Sequence, residues 1–169
     1  AGTSVGSVDF KNATSGTVTL SPVTGALGTV TLSLPAATDT LVGKATTDTL
    51  TNKTLTNPTV NNYTEGVVSI GTVTTSSTLS LTNGTIQTAT LTASTACTFT
   101  MPTATAGKSF VFLLKQAAST GNGTATFTGV KWSGVGTPAM TATAGTMDIY
   151  SFFADGTNWY GSYTQGYTP

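Results

Sequence analysis

The sequence predicts an all-β protein built from a thin N-terminal part and a compact C-terminal head. Three observations carry this. Threonine makes up about a quarter of the 169 residues, and a β-branched residue that is stiff at χ1 favours strands over helices. Short runs alternate apolar and polar residues along most of the chain, the pattern of half-buried strands. Aromatic residues are concentrated late: both tryptophans, four of five tyrosines and five of seven phenylalanines follow residue 100. The expected architecture is an N-terminal arm (1–16), a small β module (17–44), an extended intertwined stem (45–64) and an antiparallel, jelly-roll-like β-sandwich head (65–169).

Residues 1–16 are rich in Gly and Ser, with Val5, Val8 and Phe10 as isolated apolar residues. This reads as a docking arm that becomes extended on a partner. Two alternating runs follow, 17–20 and 29–34, separated by a Pro- and Gly-containing loop. They are expected to pair with each other. Pro35 ends the second run, and residues 36–42 allow a short helical turn.

Residues 45–64 read in fives: ATTDT, LTNKT, LTNPT, VNNYT. Ala45, Leu50, Leu55 and Val60 open the units, and threonine closes each one. A period of five fits neither a helix face nor a strand face. One apolar residue in five cannot form a core, so the stretch needs partner chains. In an extended chain an odd period sends successive openers to opposite sides. Leu41, Leu50, Leu55 and Val60 are therefore candidate contacts between copies, with neighbours on both sides.

The head begins with apolar residues at 67, 68, 70 and 73. Asn83-Gly84 is the strongest two-residue hairpin signal in the chain. The run Ser109–Leu114 is continuously apolar after its serine, which implies a strand buried on both faces. Asp155-Gly156 reads as a turn between strands at Ile149–Phe153 and Trp159–Tyr163. The aromatic cluster has two readings, a core or a sugar-stacking surface. Tyr163 and Tyr167 lie in a Gly-flanked polar tail and are the better glycan candidates, with Trp159 the third.

The chain offers little reactive chemistry. It has no histidine and no arginine, one glutamate, and only twelve charged residues that sum to zero. Ser-His and Cys-His catalysis is thereby excluded within the chain. Asp148 and Asp155 flank a strand at roughly 20 Å by strand rise, too far apart for paired-carboxylate glycoside hydrolysis. No catalytic, metal or cofactor residues are assigned, and no enzyme activity is expected. A neutral chain lacks the basic patch that nucleic acid requires, and no apolar run is long enough for a membrane helix. Cys97 is unpaired and reads as a small buried strand residue.

The string TDTLTNKTLTNPTV (47–60) resembles a linker common in virion proteins of tailed bacteriophages, and LPAATDTLVG (34–43) is similar to its usual context. The C-terminal pattern from Trp132 to Gly161 resembles the small β-rich ends of phage fibres. This resemblance implies a homotrimer located in the virion, attached by its N-terminal arm to capsid or tail proteins, with an exposed C-terminal head. Two roles fit: a capsid decoration or head fibre, and a tail fibre or tip adhesin that binds a bacterial surface glycan.

Overall fold

The computed structural model describes residues 6, 8–21, 28, 29, 31, 36, 47–134 and 136–169. Val5, Leu41, the helical turn at 36–42 and most of the expected strand at 29–34 lie outside these. The described residues are all-β with no helix. The chain divides into two compact units, Ala1–Thr56 and Asn57–Pro169.

In the first unit, β1 (Val8–Lys11) and β2 (Thr17–Leu20) form an antiparallel hairpin, with Val8 opposite Leu20 and Phe10 opposite Val18. The turn closes through Asn12 N–H to Gly16 O at 3.1 Å, and the Asn12 side chain accepts from Thr14 N–H at 3.2 Å. The 17–20 run pairs with the preceding segment, so residues 8–11 of the docking arm are a strand of that hairpin; the expected pairing of 17–20 with 29–34 falls mostly outside the described residues. Alternation explains the hairpin: Val8, Phe10, Val18 and Leu20 share one face, so the pairing gathers the apolar residues of both runs.

The second unit contains β3 (Val67–Val73), β4 (Ser76–Thr78), β5 (Ile86–Leu91), β6 (Ala96–Thr100), β7 (Ser109–Lys115), β8 (Thr124–Thr128), β9 (Val130–Trp132), β10 (Met147–Ala154) and β11 (Trp159–Tyr167). A six-stranded sheet has the order β3-β5-β7-β10-β11-β9, and a three-stranded sheet has β4-β6-β8. From β3 to β8 the chain visits the two sheets alternately, and each strand pairs in parallel with its successor in the same sheet. This is a solenoid-like winding. It corrects the expected antiparallel sandwich: only β7–β10 and β10–β11 pair antiparallel in this unit. Asn83-Gly84 is not a hairpin, because β4 and β5 belong to different sheets. Gly84 instead stacks against Gly66, where a Cβ on Gly66 would come within 2.7 Å of Asn83 O.

The core lies between the two sheets. Phe110, Phe112 and Leu114 of β7 meet Cys97 and Phe99 of β6 and Phe127 of β8, with Tyr150 and Phe152 of β10 completing the cluster. Phe127 is central: its ring packs with Phe99, Phe112, Trp132, Tyr150 and Phe152 at centroid distances of 4.8 to 5.9 Å. The β7 run is buried on one face only; Val111, Leu113 and Lys115 on the other are half-buried. Two bulges bend the large sheet. Each has a glycine in the left-handed region, Gly71 in β3 and Gly166 in β11, both at φ 81° beside a register shift.

Candidate functional site

The pentads are the most regular local feature. Residues 47–67 are exposed without interruption, and 47–66 belong to no strand or helix. Leu50, Leu55 and Val60 are 50%, 60% and 56% exposed. Among the described residues, the left-handed region holds few non-glycine residues, and three of them are Asn52, Asn57 and Asn62, at φ 53°, 49° and 52°. All three occupy the third position of a pentad. Asparagine tolerates this conformation because its short side chain bonds locally. That signal was present in the sequence, since Asn recurs at the third position of three units.

The hairpin presents a second apolar surface. Val8, Phe10, Val18 and Leu20 are 57%, 57%, 64% and 46% exposed. Val8 and Phe10 were expected from the arm; Val18 and Leu20 join them only through the β1–β2 register.

The aromatic candidates separate. Trp159 is buried, and its indole N–H donates to Pro102 O at 2.7 Å. Its ring packs edge-on against Phe110 at 5.2 Å, so it is a core residue and not a glycan contact. Tyr163 leans on Trp132 and Tyr150 with one side open to solvent. Tyr167 is exposed near the end of β11. The sequence reading missed a different pair. Phe153 is 58% exposed and stacks on its cross-strand partner Tyr160, with centroids 5.2 Å apart and planes 18° from parallel. Parity along β10 reveals it: Phe153 falls on the face opposite Tyr150 and Phe152.

Beside this pair, Asp155 closes the β10–β11 turn. Its Oδ1 accepts from Thr157 N–H and Asn158 N–H, both at 2.7 Å, and its Oδ2 accepts from Tyr160 O–H at 3.0 Å. The Asn158 and Thr157 amides, followed by the Tyr160 hydroxyl, hold the carboxyl down to about 2. The same bond to Asp155 pushes the Tyr160 phenol up. On the same face, Glu65, Thr85, Ser109 and Ser151 line a shallow depression, and Ser109 sits in register with Phe153.

Three buried polar side chains, Asp148, Tyr150 and Cys97, are structural. Asp148 lies opposite the Gly166 bulge. It accepts from Thr141 N–H at 2.8 Å and Gly166 N–H at 2.9 Å, with Gln165 Nε2 at 3.4 Å. Burial, then the Asp148 charge, pushes the Tyr150 phenol up, so that side chain stays protonated. The Cys97 thiol donates to Val73 O at 3.3 Å, and burial pushes it up. A thiol held in that form is a poor nucleophile. Among the described residues no group of three or more His, Cys, Asp or Glu comes together to hold a metal.

No family model, curated protein or solved structure matches the chain.

Proposed function

We propose that the chain is a structural protein of a phage virion: a homotrimeric capsid decoration or head fibre that projects from the particle. The pentads join the copies through Leu50, Leu55 and Val60. The N-terminal hairpin docks on a capsid or tail protein through Val8 and Phe10. One observation carries the reading. Three large apolar residues at strict five-residue spacing stay half or more exposed within a stretch that has no core of its own. A regular row of large exposed apolar residues favours contact with another surface. The number three, and the virion, come from the resemblance of the linker string.

The test is the mass of the purified chain by light scattering, with Leu50→Asp and Leu55→Asp as variants. Three copies are expected for the wild type. Each variant buries a carboxylate against a neighbour at a cost of several kcal/mol and is expected to release monomers. A wild-type monomer at every concentration overturns the reading.

A tail-fibre adhesin is the second reading. What favours it is the exposed Phe153–Tyr160 pair beside Ser, Thr and carboxylate groups, since a sugar offers an apolar face to aromatic rings and hydroxyls to polar side chains. Loss of binding by Phe153→Ala on a glycan array would support this role, and an array with no wild-type binding would remove it.

A further inference from the structure

Five is an odd number, and this creates a parity problem for the pentads. Along an unbroken strand, side chains alternate sides at every residue. Leu50 and Leu55 would then point opposite ways, and three openers could not lie along one contact line.

The backbone supplies a remedy. Each of these pentads contains one left-handed asparagine, two residues after its opener: Asn52, Asn57 and Asn62. Where such a chain pairs as a strand, a left-handed residue can place a bulge, which adds a residue without adding an alternation across the pair. Four alternations then remain per repeat, and the openers return to one side. The bend recurs in residues that are exposed throughout, so the local sequence encodes it rather than tertiary packing.

We infer that residues 47–64 form a bulge-punctuated strand that pairs with the same segment in further copies of this chain, with Asn52, Asn57 and Asn62 as the positioning residues that align Leu50, Leu55 and Val60. The inference rests on the homotrimer reading and adds how the copies meet. Two observations name a second copy as the occupant. A repeat of this strictness matches itself unit for unit. In addition, residues 47–66 belong to no sheet ladder, and a matching strand supplies the main-chain partners that a ladder would give.

Two triple variants of the full chain test this, with the apolar openers untouched. Asn52→Gly/Asn57→Gly/Asn62→Gly keeps the left-handed conformation accessible. Asn52→Val/Asn57→Val/Asn62→Val opposes it, because a β-branched residue at positive φ is an outlier. Sedimentation equilibrium reads the association, and tryptophan fluorescence confirms an intact head. The glycine variant is expected to associate as the wild type does. The valine variant is expected to dissociate at least about ten-fold more readily, because each β-branched residue is strained at positive φ. Equal association of the valine variant and the wild type overturns this inference while leaving the homotrimer standing, and so does a glycine variant as weak as the valine one. A monomeric wild type overturns both.

Discussion

Replacing Asp148 with alanine would remove the clasp at the β10–β11 bulge. The carboxylate takes two short backbone bonds, from Thr141 N–H at 2.8 Å and Gly166 N–H at 2.9 Å. Hydrogen bonds to a charged group contribute about 1.5–3 kcal/mol each, so the pair is worth about 3–6 kcal/mol. The Gln165 contact at 3.4 Å is beyond good geometry and adds little. Alanine also abolishes the cost of burying a carboxylate, which offsets part of the loss. The expected destabilisation is therefore near the lower end, about 3 kcal/mol. A domain with the usual stability of roughly 5–15 kcal/mol survives that loss. Guanidinium unfolding followed by tryptophan fluorescence reports it as a lower midpoint with an unchanged slope, since both tryptophans lie in this unit. Asp148→Asn keeps one acceptor oxygen and turns an amide nitrogen toward an N–H donor, so it should fall between wild type and alanine. An alanine variant within about 1 kcal/mol of wild type would refute the clasp.

Phe127→Ala removes the ring at the centre of the aromatic cluster and should cost about 3–5 kcal/mol, read as a lowered thermal midpoint. Gly161→Ala would put a methyl group 2.5 to 2.8 Å from the Trp132 ring; a loss of about 1–3 kcal/mol and an altered near-ultraviolet dichroism are expected. Asp155 has a depressed folded pKa, so its stabilisation is present above the ordinary value of 3.8 and is lost as pH falls toward about 2. Asp155→Asn should flatten the dependence of the thermal midpoint on pH within that window; an unchanged profile would show that the turn does not depend on this charge.

Much of the strand content was legible because alternation reports burial locally. Phe110, Phe112 and Leu114, or Tyr150 and Phe152, follow directly from a period of two. Pairing was harder to read. Nothing in Ile86–Leu91 says that its neighbours are β3 and β7 rather than β4 and β6, because a parallel partner lies a whole coil away in the sequence. Asn83-Gly84 misled for a related reason. Glycine there serves the close approach to Gly66, and the dipeptide signals a tight turn only when both flanking strands belong to one sheet. The pentad spacing was plain in the sequence, and so was the asparagine at the third position of three units, the residue type that tolerates the left-handed φ seen at Asn52, Asn57 and Asn62. Phe153 and Tyr160 escaped because an aromatic-rich strand reads as core until the parity of each residue is followed. Trp159 was misplaced in the other direction: its indole N–H finds Pro102 O, fifty-seven residues earlier in the chain.

The strand order also sets a timetable for synthesis. β3 needs β5, β5 needs β7, and β7 needs β10, so each strand waits for one not yet made. Phe127 lacks its contacts with Tyr150 and Phe152 until β10 has emerged. The pentads, in contrast, are complete long before, with Leu50, Leu55 and Val60 exposed and no finished head behind them. Nascent chains on one messenger would therefore hold their self-matching segments near one another while the heads are still unfolded. On the homotrimer proposed above, chains would meet first and their heads would close afterwards.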